Sequence, residues 1–235
     1  MKIAIFPGVF FPLNGGAQVQ AHNLANKFVE KGHLVDMYLL NNTNIETNKY
    51  NTIKLNRIFL HIFFLFKYYL QIDLTYFFNL YFTKFYNLNE YNVFHFFFLN
   101  YKTLLIINAL KKYNKNLKIV ACFQGIDLQI DKKIRYGYRL NQKYNIFLKN
   151  TLKNIDFFQS ISQTIYDDLI KLGINKSKIC RISNSVCLSK IKKKKNNKFL
   201  VKKKYPIKLI TVARFARKKK GLDLITTVSK KLINK

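Results

Sequence analysis

Short apolar runs alternate with segments of helical spacing from the first residues onward, and this alternation limits the possible folds more than any other feature. Lys2 to Phe6, "KIAIF", is bounded by Pro7 and Gly8 and reads as a buried strand. Gly15 and Gly16 then precede Ala17 to Lys31, where Val19, Leu24, Ala25, Phe28 and Val29 recur at helical intervals and Gly32 supplies the stop. "HLVDMYLL" follows as a second strand. Strand, glycine turn, helix, glycine stop and strand make the parallel crossover unit of a doubly wound α/β sheet.

The alternation returns downstream. "YNVFHFFFL" reads as a strand, Lys102 to Tyr113 as a helix, "LKIVACFQG" as a strand and Tyr144 to Leu152 as a helix. "IDFFQSIS" is a strand, "QTIYDDLIKLG" a helix ending at Gly173, and "KICRISNSV" a short strand. Beyond Lys190 the composition shifts to a lysine-dense connector, "KIKKKKNNKFLVKKKYP", closed by Pro206. We expect a first domain over 1–188, a linker over 189–206 and the start of a second domain over 207–235. That last part holds one strand, "IKLITVARF", a basic turn, "ARKKKG", and one helix, "LDLITTVSKKL", which is too little for a core of its own.

The chain has 235 residues, 49% of them hydrophobic, so it can bury a core and disorder is not the default. Its 42 Lys and Arg stand against 11 Asp and Glu, a formal charge of +31. Such an excess raises the question of a polyanion partner. A duller source competes: Lys, Asn, Ile, Phe and Tyr share A- and T-rich codons and are enriched together, while Trp is absent. Cys122, Cys180 and Cys187 are odd in number and form no C-x-x-C pair, which supports neither a disulfide framework nor a metal site and suits a reducing cytoplasm. No signal peptide is visible at the start. The greasiest stretch, Ile58 to Phe82, contains Lys67, Gln71 and Asp73, which argues against a membrane span. Two readings of it stand: two ordinary helices packed on the sheet, or a surface that touches an anionic membrane.

Gly15 and Gly16 lie where the carboxyl end of a first strand meets a helix N-terminus. Residues without Cβ let a ligand approach the amides there, and the helix end favours an anion. The alternative is that they only close a turn. G-x-G-x-x-G is missing, so the dinucleotide fingerprint does not apply.

"FPLNGGAQVQAHNLANKFVEKGHLV" resembles the opening of the family 4 glycosyltransferases, which have the two-domain GT-B architecture. "YNVFHFFF" resembles the family's D-V-(I/V)-H strand, with His95 at its end, and "CFQGIDLQI" resembles its H-G-x-D turn, with Gln124 in place of the usual histidine, then Gly125 and Asp127. "NIDFFQSISQTIYDDLIKLGINKSKICRISNSV" is similar to the segment that ends in P-N-G-V, here Ser183, Asn184, Ser185 and Val186. "LITVARFARKKKGLDLI" resembles the element that opens the donor domain, at Arg214, Lys220 and Gly221.

The resemblance implies a retaining transfer from a nucleotide-diphosphate sugar to a glycan or lipid-linked acceptor at the cell surface, with no metal and no further cofactor. It assigns the donor diphosphate to Gly15, Gly16, Arg214 and Lys220, the glycines facing the two cations across a cleft. A guanidinium can grip two phosphate oxygens at once as the leaving group gains charge. Acceptor or sugar contacts fall to His95, Gln124, Gly125, Asp127 and Asn184. His95 also reads as a core histidine, Asp127 as a helix cap, and Asn184 as a turn residue. Gln124 cannot take a proton as imidazole does. The family's acidic pair, E-x-x-x-x-x-x-x-E, does not occur before residue 235, so we expect impaired transfer by this chain alone or a second chain that completes the donor pocket. A non-catalytic remnant and a polyanion binder remain as other readings. No nucleic-acid partner is expected, and the expected location is the cytoplasm, including the inner face of its membrane.

Overall fold

In a computed structural model, residues 1–8, 15–40, 49–70, 72, 74–186, 210–213 and 220–233 are described. They divide into two compact units, Met1–Ser185 and Val186–Lys235. The first holds seven strands: β1 (Lys2–Phe6), β2 (Leu34–Leu39), β3 (Asn51–Lys54), β4 (Val93–Phe97), β5 (Ile119–Cys122), β6 (Phe157–Ser160) and β7 (Ile179–Arg181). Every pairing is parallel, and the order is β3-β2-β1-β4-β5-β6-β7. This is the doubly wound order in which the chain works outward on one side of β1 and then returns to the other.

Six helices connect the strands: α1 (Gly16–Glu30), α2 (Arg57–Leu65), α3 (Thr75–Phe85), α4 (Tyr101–Tyr113), α5 (Gln142–Leu152) and α6 (Gln163–Lys171). Because side chains alternate along a strand, the sheet has two faces. Ile3, Ile5, Val35, Met37, Leu39 and Phe97 point to the face covered by α1, where Ala21 and Ala25 are fully buried and let the helix approach closely. Phe6, Tyr38, Phe94, Phe96 and Phe158 point to the other face and pack with residues of α2 to α6. Gly32, at φ +80°, ends α1 where the sequence placed the stop.

One strand departs from the sequence reading, and the greasy stretch forms the two helices that one of its readings expects. β3 was not expected; it is a four-residue edge strand held beside β2, with Asn51 Nδ2 donating to Asp36 Oδ1 at 3.1 Å. The greasy stretch forms α2, a π-helical continuation over Phe66–Leu70, and α3. Among the described residues no helix is long and apolar enough to cross a membrane.

In the second unit, α7 (Leu222–Ile233) matches the expected helix. Of the expected strand over 207–215 only 210–213 is described; among the described residues it joins no ladder, and Ile210 and Val212 are exposed. The 189–206 connector and Cys187 lie outside the described residues.

Candidate functional site

Open parallel sheets bind ligands outside the carboxyl ends of their strands, where the strand order reverses. Here that place lies between β1 and β4. Gly8, just after β1, has φ +77°, and a Cβ on it would sit 2.3 Å from the carbonyl oxygen of Phe98 and 2.7 Å from that of Phe97. The two loops therefore touch backbone to backbone, which only glycine permits. Asn100 fastens them, its Nδ2 donating to Gly8 O at 3.2 Å while its Oδ1 caps α4 by accepting from the amides of Lys102 and Thr103. Phe98 adopts φ +61°, a left-handed conformation that costs a bulky residue roughly 1–3 kcal/mol. It is held there by its amide, which donates to Cys122 O at 3.1 Å.

Asp127 joins β4 to β5. Its carboxylate accepts from Leu99 N at 2.9 Å on the β4 side, and from Gln124 N and Gly125 N at 2.9 Å on the β5 side. The side chain is fully buried, and desolvation pushes its carboxyl up to about 6 despite the donors that pull it back. The Tyr144 hydroxyl completes the clasp, 2.5 Å from Leu99 O and 3.0 Å from Asp127 O. Asp127 thus departs from both sequence readings: its oxygens hold loop backbone rather than a sugar hydroxyl or a helix N-terminus. Gly125, at φ +115°, turns the chain beneath it.

Gln124 is part-buried, and its side-chain Nε2 lies 3.1 Å from Cys122 Sγ. Burial pushes that thiol up to about 12, so it stays protonated. His95 stands mid-strand, paired in register with Ile5 and Val120, and its ring is 4.5 Å from that of Phe97. It is 6% exposed, its Nε2 has no hydrogen-bond partner, and burial holds the imidazole down at about 4. The core position fits the blander of the two readings, without the backbone hydrogen bond to Nε2 that a satisfied core histidine would have. A ring so enclosed offers no atom to a sugar at the strand ends.

The opposite wall is α1. Gly15 is its N-cap residue, with extended backbone and no side-chain cap, and no acid stands in the first turn. A Cβ on Gly15 would meet only the flexible end of Gln18, and one on Gly16 would meet nothing within 4 Å. Gly15, having no side chain, caps none of the first-turn amides itself. Gln20, on the same helix, binds Ser185 in both directions: Nε2 donates to Ser185 O at 2.6 Å, and Oε1 accepts from Ser185 N at 3.3 Å. The structure therefore brings the α1 N-terminal half beside the segment that carries Asn184, which is exposed.

Lys220 is exposed next to the start of α7 in the second unit, and Arg214 lies outside the described residues. Gly8, Phe98, Asn100 and Tyr144 were not singled out in the sequence. The Pro7-Gly8 pair was the available signal, since a glycine immediately after a buried strand marks close backbone approach.

The Glycosyltransferase Family 4 model matches residues 14–190. No curated protein sequence matches the chain. Among solved structures, the lipopolysaccharide outer core galactosyltransferase WaaB in its apo form is 15% identical with a TM-score of 0.51, over 79% of this chain and 46% of that one. Sucrose-phosphate synthase from Thermosynechococcus elongatus is 16% identical with a TM-score of 0.51, over 80% of this chain and 49% of that one. The chain thus spans just under half the length of either. At such identities these two speak for the fold, a GT-B half with its parallel sheet. With a family match over three quarters of its residues, the chain belongs to Glycosyltransferase Family 4.

Proposed function

We propose that this chain provides the acceptor-side domain of a retaining glycosyltransferase that moves a sugar from a nucleotide-diphosphate donor to a glycan or lipid-linked acceptor at the cell surface. One observation carries the reading: α1 presents an N-terminus without a side-chain cap or an acid, its first residue open to solvent, at the carboxyl edge of the sheet. Such an end binds anions through its amides and its dipole. The fold itself has no steric need for glycine at position 16, whereas a diphosphate close to the backbone does.

In the transfer, the bond between the anomeric carbon and the diphosphate oxygen breaks, a bond to the acceptor hydroxyl oxygen forms, and the hydroxyl's proton passes to the departing diphosphate. Charge grows on the diphosphate, so the α1 amides lower the barrier from this domain. The resemblance gives Arg214 and Lys220 the same task from the donor-side element. Gln124, Gly125 and Asn184 take the acceptor or sugar side, with Asp127 holding the first two through their backbone amides. Gln124, a neutral amide, orients a hydroxyl and does not deprotonate it.

Gly16→Asp separates folding from binding. A carboxylate in the first turn of a helix stabilises it by roughly 0.3–1 kcal/mol and repels a second anion. The variant is expected to unfold no earlier than wild type, while its affinity for uridine or guanosine diphosphate, measured by titration calorimetry, falls roughly tenfold or more. Wild-type affinity retained in Gly16→Asp, or no diphosphate binding by wild type, contradicts the proposal.

A further inference from the structure

The helices α2 and α3 each bury one face and leave a second apolar face in solvent. Leu60 and Phe63 on α2, and Phe78 and Phe82 on α3, belong to the core. On the continuous helix from α2 into its π-helical extension, Ile58, Ile62, Leu65 and Tyr69 recur at helical spacing and are exposed, Ile58 by 73% and Tyr69 by 62%. Ile72, Tyr76, Phe77 and Leu80 carry the exposed stripe on through α3, Tyr76 at 64% and Phe77 at 59%. A helix on the surface of a soluble domain normally keeps polar residues on its outer face, and a patch of this extent marks an interaction surface.

The same helix joins this patch to a cationic groove. Lys67 lines a cavity of about 600 Å³ together with Lys111 and Lys112 of α4, Lys115, Lys153 and Phe147 of α5; no carboxylate lines it among the described residues. Lys111 pairs with Asp156 at 2.8 Å, while Lys112, Lys115 and Lys153 are exposed. Lys143, on α5, stands over the rings of Tyr68 and Tyr69 at 5.0 and 5.9 Å.

We propose that the outer faces of α2 and α3 and the lysine groove between α4 and α5 form one docking surface for an anionic lipid bilayer. The aliphatic and aromatic side chains enter the boundary between headgroups and acyl chains, and the lysines take the headgroup phosphates. The charge selects this occupant. A net +31 opposes packing a second copy against the patch. A nucleic acid would use the lysines but gains nothing from Ile58, Ile62 and Leu65, which offer neither charge nor a ring for stacking. The helices lie along the surface, because no described helix is long and apolar enough to cross it. The proposal goes beyond sugar transfer and is read out without it.

The test is cosedimentation of the full chain with phosphatidylcholine vesicles, with and without phosphatidylglycerol, alongside titration of a single-stranded oligonucleotide. Wild type is expected to bind only the anionic vesicles. Replacing Ile58, Ile62 and Leu65 by Ser should lower the partition coefficient roughly tenfold or more with an unchanged circular dichroism spectrum. Tyr76→Ser with Phe77→Ser provides an independent apolar variant with the same expectation. Replacing Lys112, Lys115 and Lys153 by Gln should lower it about a hundredfold. Wild type left in the supernatant overturns the proposal. So does vesicle binding by both apolar variants at wild-type strength, and binding to the oligonucleotide alone assigns the surface to a polyanion instead.

Discussion

Burial moves His95 and Asp127 in opposite senses, and the consequence is measurable. The folded chain keeps His95 neutral down to about pH 4, while the unfolded chain takes up that proton near 6.5, so this contribution to stability is present above 6.5 and is lost as pH falls through 4. Asp127 has the other sign: the fold holds its proton up to about pH 6 and the unfolded chain releases it near 3.8, so its contribution is complete below 3.8 and is lost as pH rises through 6. Each shift is worth on the order of 3 kcal/mol, and between pH 4 and 6 the two slopes oppose. Relative to wild type, His95→Leu should therefore lose stability from pH 4 to 6, and Asp127→Asn should gain it, as read by urea denaturation at both ends of that window. Asp127→Asn should also be less stable by about 1–3 kcal/mol at neutral pH, because its amide nitrogen turns a donor toward a backbone N–H. A further pair of substitutions concerns the glycines. Gly8→Ala drives a methyl into the Phe98 carbonyl and should cost about 2 kcal/mol or more, whereas Gly16→Ala meets open space and should stabilise α1 by up to about 1 kcal/mol. The sequence marks Gly8 only by its place after a buried strand; the contact that makes its replacement costly comes from a loop ninety residues away.

Most elements could be read from apolar periodicity because a parallel sheet buried on both faces demands it. β5, "IVAC", is an uninterrupted apolar run, β4, "VFHFF", is broken by His95 alone, and α1 shows its buried side through Ala21 and Ala25. β3 was missed for a physical reason: "NTIK" carries one large apolar residue and owes its conformation to pairing with β2, a tertiary cause with no local mark. Of the strand expected over 207–215 most lies outside the described residues, and among the described residues 210–213 joins no ladder. At the candidate site, the glycine turn and the Gln124-to-Asp127 turn could be placed from their positions after strands. The clasp formed by Asp127, Leu99 and Tyr144 could not, because it unites three segments far apart in the chain. α1 also ends as the sequence foresees, so Gly16→Asp tests its first turn without disturbing its last.

Composition alone left the charge unexplained, for codon bias and a polyanion footprint both enrich lysine. The fold adds what counting could not, since several lysines gather in one groove that α2's extension connects to an apolar surface. The chain divides after Ser185, and the described residues of its first unit form a seven-stranded sheet with the candidate site at the carboxyl edge. The functional reading rests on that edge accepting a diphosphate at the α1 amides. Backbone amide resonances of the full chain, followed by NMR while uridine diphosphate is added, address this point residue by residue. The shifts are expected to be largest at Gly15, Gly16 and Ala17, with smaller ones at Gln20 and Ser185. Saturable shifts confined to the lysine groove, with the Gly15 and Gly16 resonances unmoved, would contradict it.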